Sequence, residues 1–217
     1  MDSLKRHTDY GSQEFNEASV LADPIEQFAQ WLTNAEDTEI FEPNAMVLGT
    51  IDPDGRPSSR TVLLKGLSEK GFEFVTNYGS RKAAALDAHA DVTLLFPWYS
   101  LKRQVIVYGA AERLSAAESD EYWNRRPQGA QLASAASNQS QPVDSREQLD
   151  ARLAELEAQY PNDTPVPRPE NWGAYRVTPR VIEFWQGRSR RFHDRLVFTA
   201  DRSGDGSVVW SIQRLQP

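Results

Sequence analysis

The sequence predicts a mainly β protein of the α+β class, with peripheral helices around antiparallel strands that close into a barrel. Three observations carry that expectation. From Asn44 onward the chain is dominated by short β-type runs such as AMVLGTI, FEFVT and RQVIVYG, whose branched and aromatic residues suit a half-buried pleated surface. Turn residues punctuate the runs, most plainly at Asp52-Pro53-Asp54-Gly55, where proline presets φ and glycine accepts a positive value. Most gaps between runs are too short for the crossover helix that a parallel sheet requires.

Residues 1–22 are polar without sustained periodicity and read as a flexible arm. Asp23-Pro24 then opens a helix, with Asp23 as N-cap and Pro24 in the tolerated first position. Ile25, Phe28, Trp31 and Leu32 share one face of it to about Glu36. Strands are expected at 45–51, 58–65, 72–76, 91–96, 103–109 and 110–114, with a short alanine-rich helix from Ser80 to about Ala88. Ser115-Ala-Ala-Glu118 and Ser145-Arg-Glu-Gln148 are capping-box signatures. The first opens a helix through Arg125 that Pro127 stops; the second opens a helix striped by Leu149, Leu153, Leu156 and Tyr160. Proline-rich 161–171 reads as an extended surface connection. GAYRVTP, VIEFWQ, RLVFTA and VVWSIQRL then read as strands completing the same barrel, with Ser203-Gly204-Asp205-Gly206 at a hairpin tip. The segment after 171 is too short to bury its own core, so 23–217 is expected to be a single domain.

Composition narrows the function. Of 217 residues, 39% are hydrophobic and 25% charged, a balance able to bury a core and unlike that of a disordered chain. Twenty-four Lys+Arg against 31 Asp+Glu give a net charge of −7, so no nucleic-acid partner is expected, because such binding rests on neutralising phosphates. A local basic site for a small anion stays open. The absence of cysteine removes disulfides, thiol nucleophiles and thiolate metal sites, and fits a reducing cytoplasm. His7, His89 and His193 are scattered without a helical pair, so no metal site is expected. Neither a membrane-length apolar run nor a secretory signal is seen, and a soluble cytoplasmic protein without a membrane partner is expected.

Three basic clusters carry the chemistry. Arg60 and Lys65 flank the apolar Thr61-Val-Leu-Leu64, and a turn feeds a helix start at Ser80-Arg81-Lys82. Helix N-termini attract anions, and a phosphate monoester suits such a cluster; the same residues also read as solvated charges on a helix. Tyr122 and Arg126 stand at i, i+4, and a phenol beside a guanidinium can hold a phosphate, or form an ordinary surface contact. If Arg191, His193 and Arg195 lie on a strand, alternation puts them on one cationic face, although His193 also reads as a structural histidine. Neither a glycine-rich phosphate fingerprint nor a nucleophile elbow is present. Together the clusters imply at least two bound anionic moieties.

The ordered motifs NAMVLGT, SRTVLLK, FVTNYGSRK, FPWYSLKRQVIVYG, AESDEYWNRRP, ASNQS, PVPRPENWGAYRV, IEFWQGRSRRFHDR and terminal RLQP resemble the pyridoxine (pyridoxamine) 5′-phosphate oxidases from about Asp23 to Pro217. That resemblance implies an FMN-binding antiparallel split β-barrel and a homodimer with FMN at the subunit interface. It implies oxidation of a small phosphorylated pyridine substrate to pyridoxal 5′-phosphate, with dioxygen as acceptor and hydrogen peroxide released. It implies FMN contacts from Arg60, Val62, Leu63, Lys65, Val75, Thr76, Arg81, Lys82, Gln104, Gln139, Ser140, Trp185 and Arg195. Substrate contacts are implied from Lys65, Tyr122 and Arg126 around the phosphate, and from Arg191 and His193 near the reacting end, where both are the catalytic candidates.

The chain departs from the family pattern in places. The serine that usually completes the substrate phosphate site is Ala130 here, the usual GAWAS segment reads Ala133-Ser-Ala-Ala-Ser137, and Ala174 replaces the second glycine of WGG. Loss of one hydroxyl donor is worth about 0.5–1.5 kcal/mol. The arm matches poorly, with Arg6 and Tyr10 as candidates for a substrate lid. These departures bear on the substrate more than on the flavin. They keep two alternatives open: a related FMN oxidase acting on a phenazine precursor, and a non-catalytic flavin- or deazaflavin-binding barrel.

Overall fold

The computed structural model describes residues 2–5, 8–162, 164–204 and 207–217. Nine strands form one antiparallel sheet: β1 (Ala45–Ile51), β2 (Pro57–Leu63), β3 (Gly66–Ser68), β4 (Gly71–Asn77), β5 (Asp91–Trp98), β6 (Arg103–Arg113), β7 (Trp172–Gln186), β8 (Asp194–Arg202) and β9 (Val208–Arg214). Their order is β2-β1-β5-β6-β7-β4-β3, with β8 on β7 and β9 on β8. The long β7 determines the shape. One edge pairs with β6 over 175–186, while the other pairs first with β4 over 172–177 and then with β8 over 181–186. A strand with two successive neighbours on one edge parts the sheet into two arms. The result is an antiparallel half-barrel split in its middle, within the expected split β-barrel class.

Each expected strand is present, and four of them are fused. The runs at 103–109 and 110–114 are one strand, β6, and GAYRVTP with VIEFWQ makes up β7. The β6–β7 register shifts between Tyr108 and Gly109, with Gly109 opposite Pro179. Such an irregularity lets a proline without an N–H sit inside a strand. The short β3 was not anticipated. Its Gly66 is required by close approach, because a Cβ there would collide with the Tyr122 hydroxyl and the Glu73 carboxylate.

The main core lies inside the sheet and is filled by α1 (Pro24–Asp37). Asp23 caps this helix, accepting from the Ile25 N–H at 2.7 Å. Phe28 sits 4.7 Å from Phe96 and 4.9 Å from Phe72, ring centre to ring centre. In β5, Val92, Leu94, Phe96 and Trp98 are buried and their neighbours are not, the period-2 pattern of a strand with one wet face. The segment read as a flexible arm lies against this core. Phe15 is buried 4.8 Å from Trp31, and Arg214 bridges Glu17 and Asp194 at 2.8 and 2.7 Å. Arg6 falls outside the described residues, as do His7 and the hairpin-tip Asp205 and Gly206.

A second cluster of Trp123, Leu132, Val166 and Trp172 joins α2's successors: α3 (Ala116–Asn124), α4 (Gln128–Ala136) and α5 (Arg146–Gln159); α2 itself (Arg81–Ala88) starts at the Ser80 cap. Helix α4 was not anticipated, because QGAQLASAA offers little apolar periodicity and follows a proline. The 161–171 connection is not purely superficial either. Val166 is buried, and its carbonyl accepts from the Trp123 indole at 2.7 Å. Both bonds of the Ser115 capping box form. At Ser145 only half does, since Gln148 accepts from the Asp144 N–H instead. In α5, Leu153, Leu156 and Tyr160 pack on the second cluster while Leu149 is exposed.

Candidate active site

A cavity of about 800 Å³ opens where β2 and β4 face α3 and α4. Its wall carries Lys65, Lys82, Arg125 and Arg126, and no aspartate or glutamate among the described residues. Val62, Leu63 and Val75 supply an apolar floor, and Trp172 closes one side. Arg125 answers Glu121 at 3.3 Å; Lys65, Lys82 and Arg126 pair with no carboxylate among the described residues. In an acidic chain, three unanswered cations around one hollow form a local anion site.

At one end, Lys82 Nζ donates to Gln139 Oε1 at 2.8 Å and to Thr76 Oγ1 at 3.2 Å. Burial, then the neighbouring Arg60 charge, pushes the Lys82 ammonium below its usual range. Arg60 is not on the cavity wall but lies behind this end, held by β1 and its own strand: its guanidinium donates to the Leu48 carbonyl (3.1 Å) and to the Thr50 and Ser58 hydroxyls (each 2.7 Å). These neutral acceptors orient the charge without cancelling it. Arg81 behaves differently. It turns away from the cavity to the buried carboxylate of Asp52, which also accepts from Ser58 at 2.6 Å. Ser140, in the left-handed region at φ 72°, lies just beyond Gln139 on an adjoining hollow.

At the other end are Tyr122, Arg126 and Ala130. Helix α3 stops at Asn124, so Tyr122 and Arg126 do not share a helix as their spacing suggested, yet both reach the cavity. The Tyr122 hydroxyl donates to Glu73, which Arg176 holds at 2.8 Å. Burial, then this bond to a carboxylate, raises the phenol above its ordinary range. Arg126 lies 5.2 Å from the Trp172 ring, and its Nη2 donates to the Ala130 carbonyl (3.0 Å) and the Ser134 hydroxyl (2.9 Å). Its buried Nε has no hydrogen-bond partner among the described residues. Trp172 and Ser134 are cavity residues that sequence reasoning did not single out; Ser134 stands one helical turn after Ala130, the only signal that marked it.

The remaining predicted residues lie elsewhere. Gln104, Trp185 and Arg195 occupy one register row across β6, β7 and β8. Arg195 is held by Glu183 at 2.8 Å. His193 lies 4.7 Å from the Trp185 ring and 5.4 Å from Tyr10, which meets both edge-on. Arg191, His193 and Arg195 do not share a strand face. Arg190 and Arg191 sit in a tight turn at φ 56° and 61°, and β8 begins only at Asp194. This turn lets the Arg188 N–H reach His193 Nδ1 at 3.0 Å. Burial and then the Arg191 charge hold the imidazole below its usual range. Trp172 and Trp185 stand at opposite ends of the 15-residue β7, which at about 3.3 Å per residue is on the order of 45 Å of strand. The two residue sets therefore do not share one hollow within a protomer.

The likenesses that follow give the class, a split-barrel flavin-dependent oxidoreductase, and the split sheet and the cationic hollow agree with it. The family described as pyridoxamine 5′-phosphate oxidase matches residues 32–160, and the pyridoxine 5′-phosphate oxidase C-terminal dimerisation region matches 172–217. The chain is 55% identical over 195 residues to a pyridoxine/pyridoxamine 5′-phosphate oxidase of Rubrobacter xylanophilus, covering 90% of this chain and 87% of that one. It is 46% identical to the protein of that name in Thermobifida fusca, covering 100% and 98%. Among solved structures it resembles PhzG from Burkholderia lata, in complex with tetrahydrophenazine-1-carboxylic acid, with TM-score 0.86 and 32% identity over 96% of this chain and 100% of that one. The chain belongs to the pyridoxine/pyridoxamine 5′-phosphate oxidase family. No helix among the described residues is long and apolar enough to cross a membrane.

Proposed function

We propose that this chain is an FMN-dependent oxidase that converts pyridoxamine 5′-phosphate, pyridoxine 5′-phosphate or both to pyridoxal 5′-phosphate, with dioxygen as acceptor and hydrogen peroxide as by-product. Residues 23–217 act as a single split-barrel domain, and two copies form the working unit. The observation that carries this reading is the cavity wall with four cations and no carboxylate. It suits phosphate esters, whose charge near neutrality is about −1.5 to −2.

The residues fit a flavin nucleotide. Lys82, Thr76, Gln139 and Arg60 would hold its phosphate, with Val62, Leu63 and Val75 along its apolar body. Arg81 would act there through Asp52, at one remove. Ser140 would adjoin the nucleotide beside Gln139, and Gln104, Trp185 and Arg195 would complete the cofactor's surroundings from the second subunit. The chemistry a bound FMN would supply there is hydride acceptance from the substrate's 4′ carbon, with dioxygen as the final acceptor. The protein binds and orients. Lys65 and Arg126 grip the substrate phosphate, and Tyr122 joins them if its hydroxyl leaves Glu73. Because His193 Nδ1 accepts the Arg188 N–H, the neutral ring carries its proton on Nε2. It therefore presents a donor to the reacting end, beside Arg191, and is a poor base.

A second reading, oxidation of a phenazine precursor, is favoured by the likeness to PhzG. Its weakness is that Lys65, Tyr122 and Arg126 would have no phosphate to bind. The test is purification followed by aerobic addition of pyridoxamine 5′-phosphate. A yellow protein forming aldehyde with stoichiometric peroxide supports the first reading. A yellow but inert protein supports the second, and a colourless protein unable to take up FMN overturns both.

A further inference from the structure

We infer that Ser134 supplies the hydroxyl that completes the substrate phosphate site, taking over from position 130. The inference rests on the oxidase reading and deepens it. Ala130 brings a methyl group to the cavity where a donor is expected, and the Tyr122 hydroxyl is already given to Glu73. Ser134 follows Ala130 by four residues on α4, so the two side chains occupy one face of that helix. Both line the cavity.

The hydrogen bonding assigns the donor. Ser134 Oγ accepts from Arg126 Nη2 at 2.9 Å, so its own proton is left for another acceptor. The same Nη2 gives its second proton to the Ala130 carbonyl at 3.0 Å. Both Nη2 protons are thus spent on α4, which fixes the guanidinium against that helix and leaves Nη1 for a ligand. Arg126 keeps its charge without a carboxylate partner. A phosphate oxygen beside Nη1 would receive a charge-assisted bond from Arg126 and a second from Ser134. The substitution of Ala for Ser at 130 thereby moves the hydroxyl by one helical turn and does not remove it.

The test is Ser134→Ala in the FMN-loaded enzyme, a variant expected to fold because alanine favours helix interiors. Its KM for pyridoxamine 5′-phosphate should rise about tenfold, as for loss of one bond to a charged group, with kcat changed less than about twofold. The inhibition constant of inorganic phosphate should rise in parallel, and KM for unphosphorylated pyridoxamine should stay the same. Adding Ala130→Ser to Ser134→Ala should restore phosphate affinity. Unchanged KM and unchanged phosphate inhibition would overturn the assignment, as would an equal loss toward unphosphorylated pyridoxamine or failure of the second serine to rescue. If the wild-type protein oxidises no B6 phosphate, the oxidase reading falls by itself, and calorimetric titration with inorganic phosphate decides Ser134. Binding about tenfold weaker in the variant sustains the phosphate role; equal binding, or none by wild type, rejects it.

Discussion

Lys82 illustrates how a single side chain acquires a role from its surroundings. Its ammonium is bound to two neutral acceptors, partly desolvated, and near the Arg60 charge, so an arriving phosphate meets an uncompensated cation. Lys82→Ala should weaken FMN binding about ten- to hundredfold, the effect of removing hydrogen bonds to a charged group; fluorescence titration of the apoprotein with FMN measures it. At the other residue set, His193→Ala or Arg191→Ala should cut turnover while the visible flavin spectrum stays that of the loaded enzyme. Unchanged kinetics in both variants would remove these residues from the reacting end. The spacing of Tyr122 and Arg126 pointed to their common cavity. What it could not show is that Arg81, adjacent to Lys82 in sequence, is bound to Asp52, a carboxylate far away in the chain.

Helix α3 shows how local signals become stability. Ser115 accepts from the Glu118 N–H and Glu118 accepts from the Ser115 N–H, and Glu118 also meets Arg176 at 3.1 Å. The Ser115 hydroxyl, which donates to the Glu118 carboxylate at 2.7 Å, then the Ser115 N–H and Arg176 hold that carboxyl at about 2, below its ordinary 4.5; Glu17, bound by Arg214, is likewise held at about 2. Between those values the unfolded chain binds more protons than the folded one, so stability rises with pH across the window and is lost as pH falls from 4.5 toward 2. Chemical denaturation at a series of acid pH values should show that slope, and Glu118→Gln should flatten it. Ser115→Ala should cost about 1 kcal/mol, read from the denaturation midpoint. This capping box was legible from four residues. Helix α4 was not, because its boundaries come from Pro127 and from Leu132 packing on Trp123 and Trp172, a contact between distant segments.

If the two residue sets at opposite ends of β7 serve one site, as proposed, a second copy must supply one of them. If each site takes Lys65 and Arg126 from one subunit and His193 from the other, mixing two inactive variants restores half the sites of each mixed dimer. Co-refolded Arg126→Ala and His193→Ala subunits should then regain about a quarter of wild-type activity by random pairing of a two-fold dimer. No recovery above the parents would place the whole site within one protomer. The C-terminal segment that matches the dimerisation region includes β8, β9 and the candidate residues Trp185, Arg191, His193 and Arg195, so subunit contact and catalysis are expected to fail together when it is disrupted.

Hydrophobic alternation, turn residues and caps are local properties, and from them every strand but β3, the antiparallel arrangement, α1, α2, the start of α3 and α5 could be written down from the amino acids alone. Family motifs extended that to the kind of chemistry. Tertiary structure decided the rest: that β7 is one strand with two partners on one edge, that Arg191 sits in a left-handed turn off β8, and that Ser134 faces Arg126. Each of these depends on which distant groups meet, and neither side-chain period nor spacing encodes that before the chain has packed.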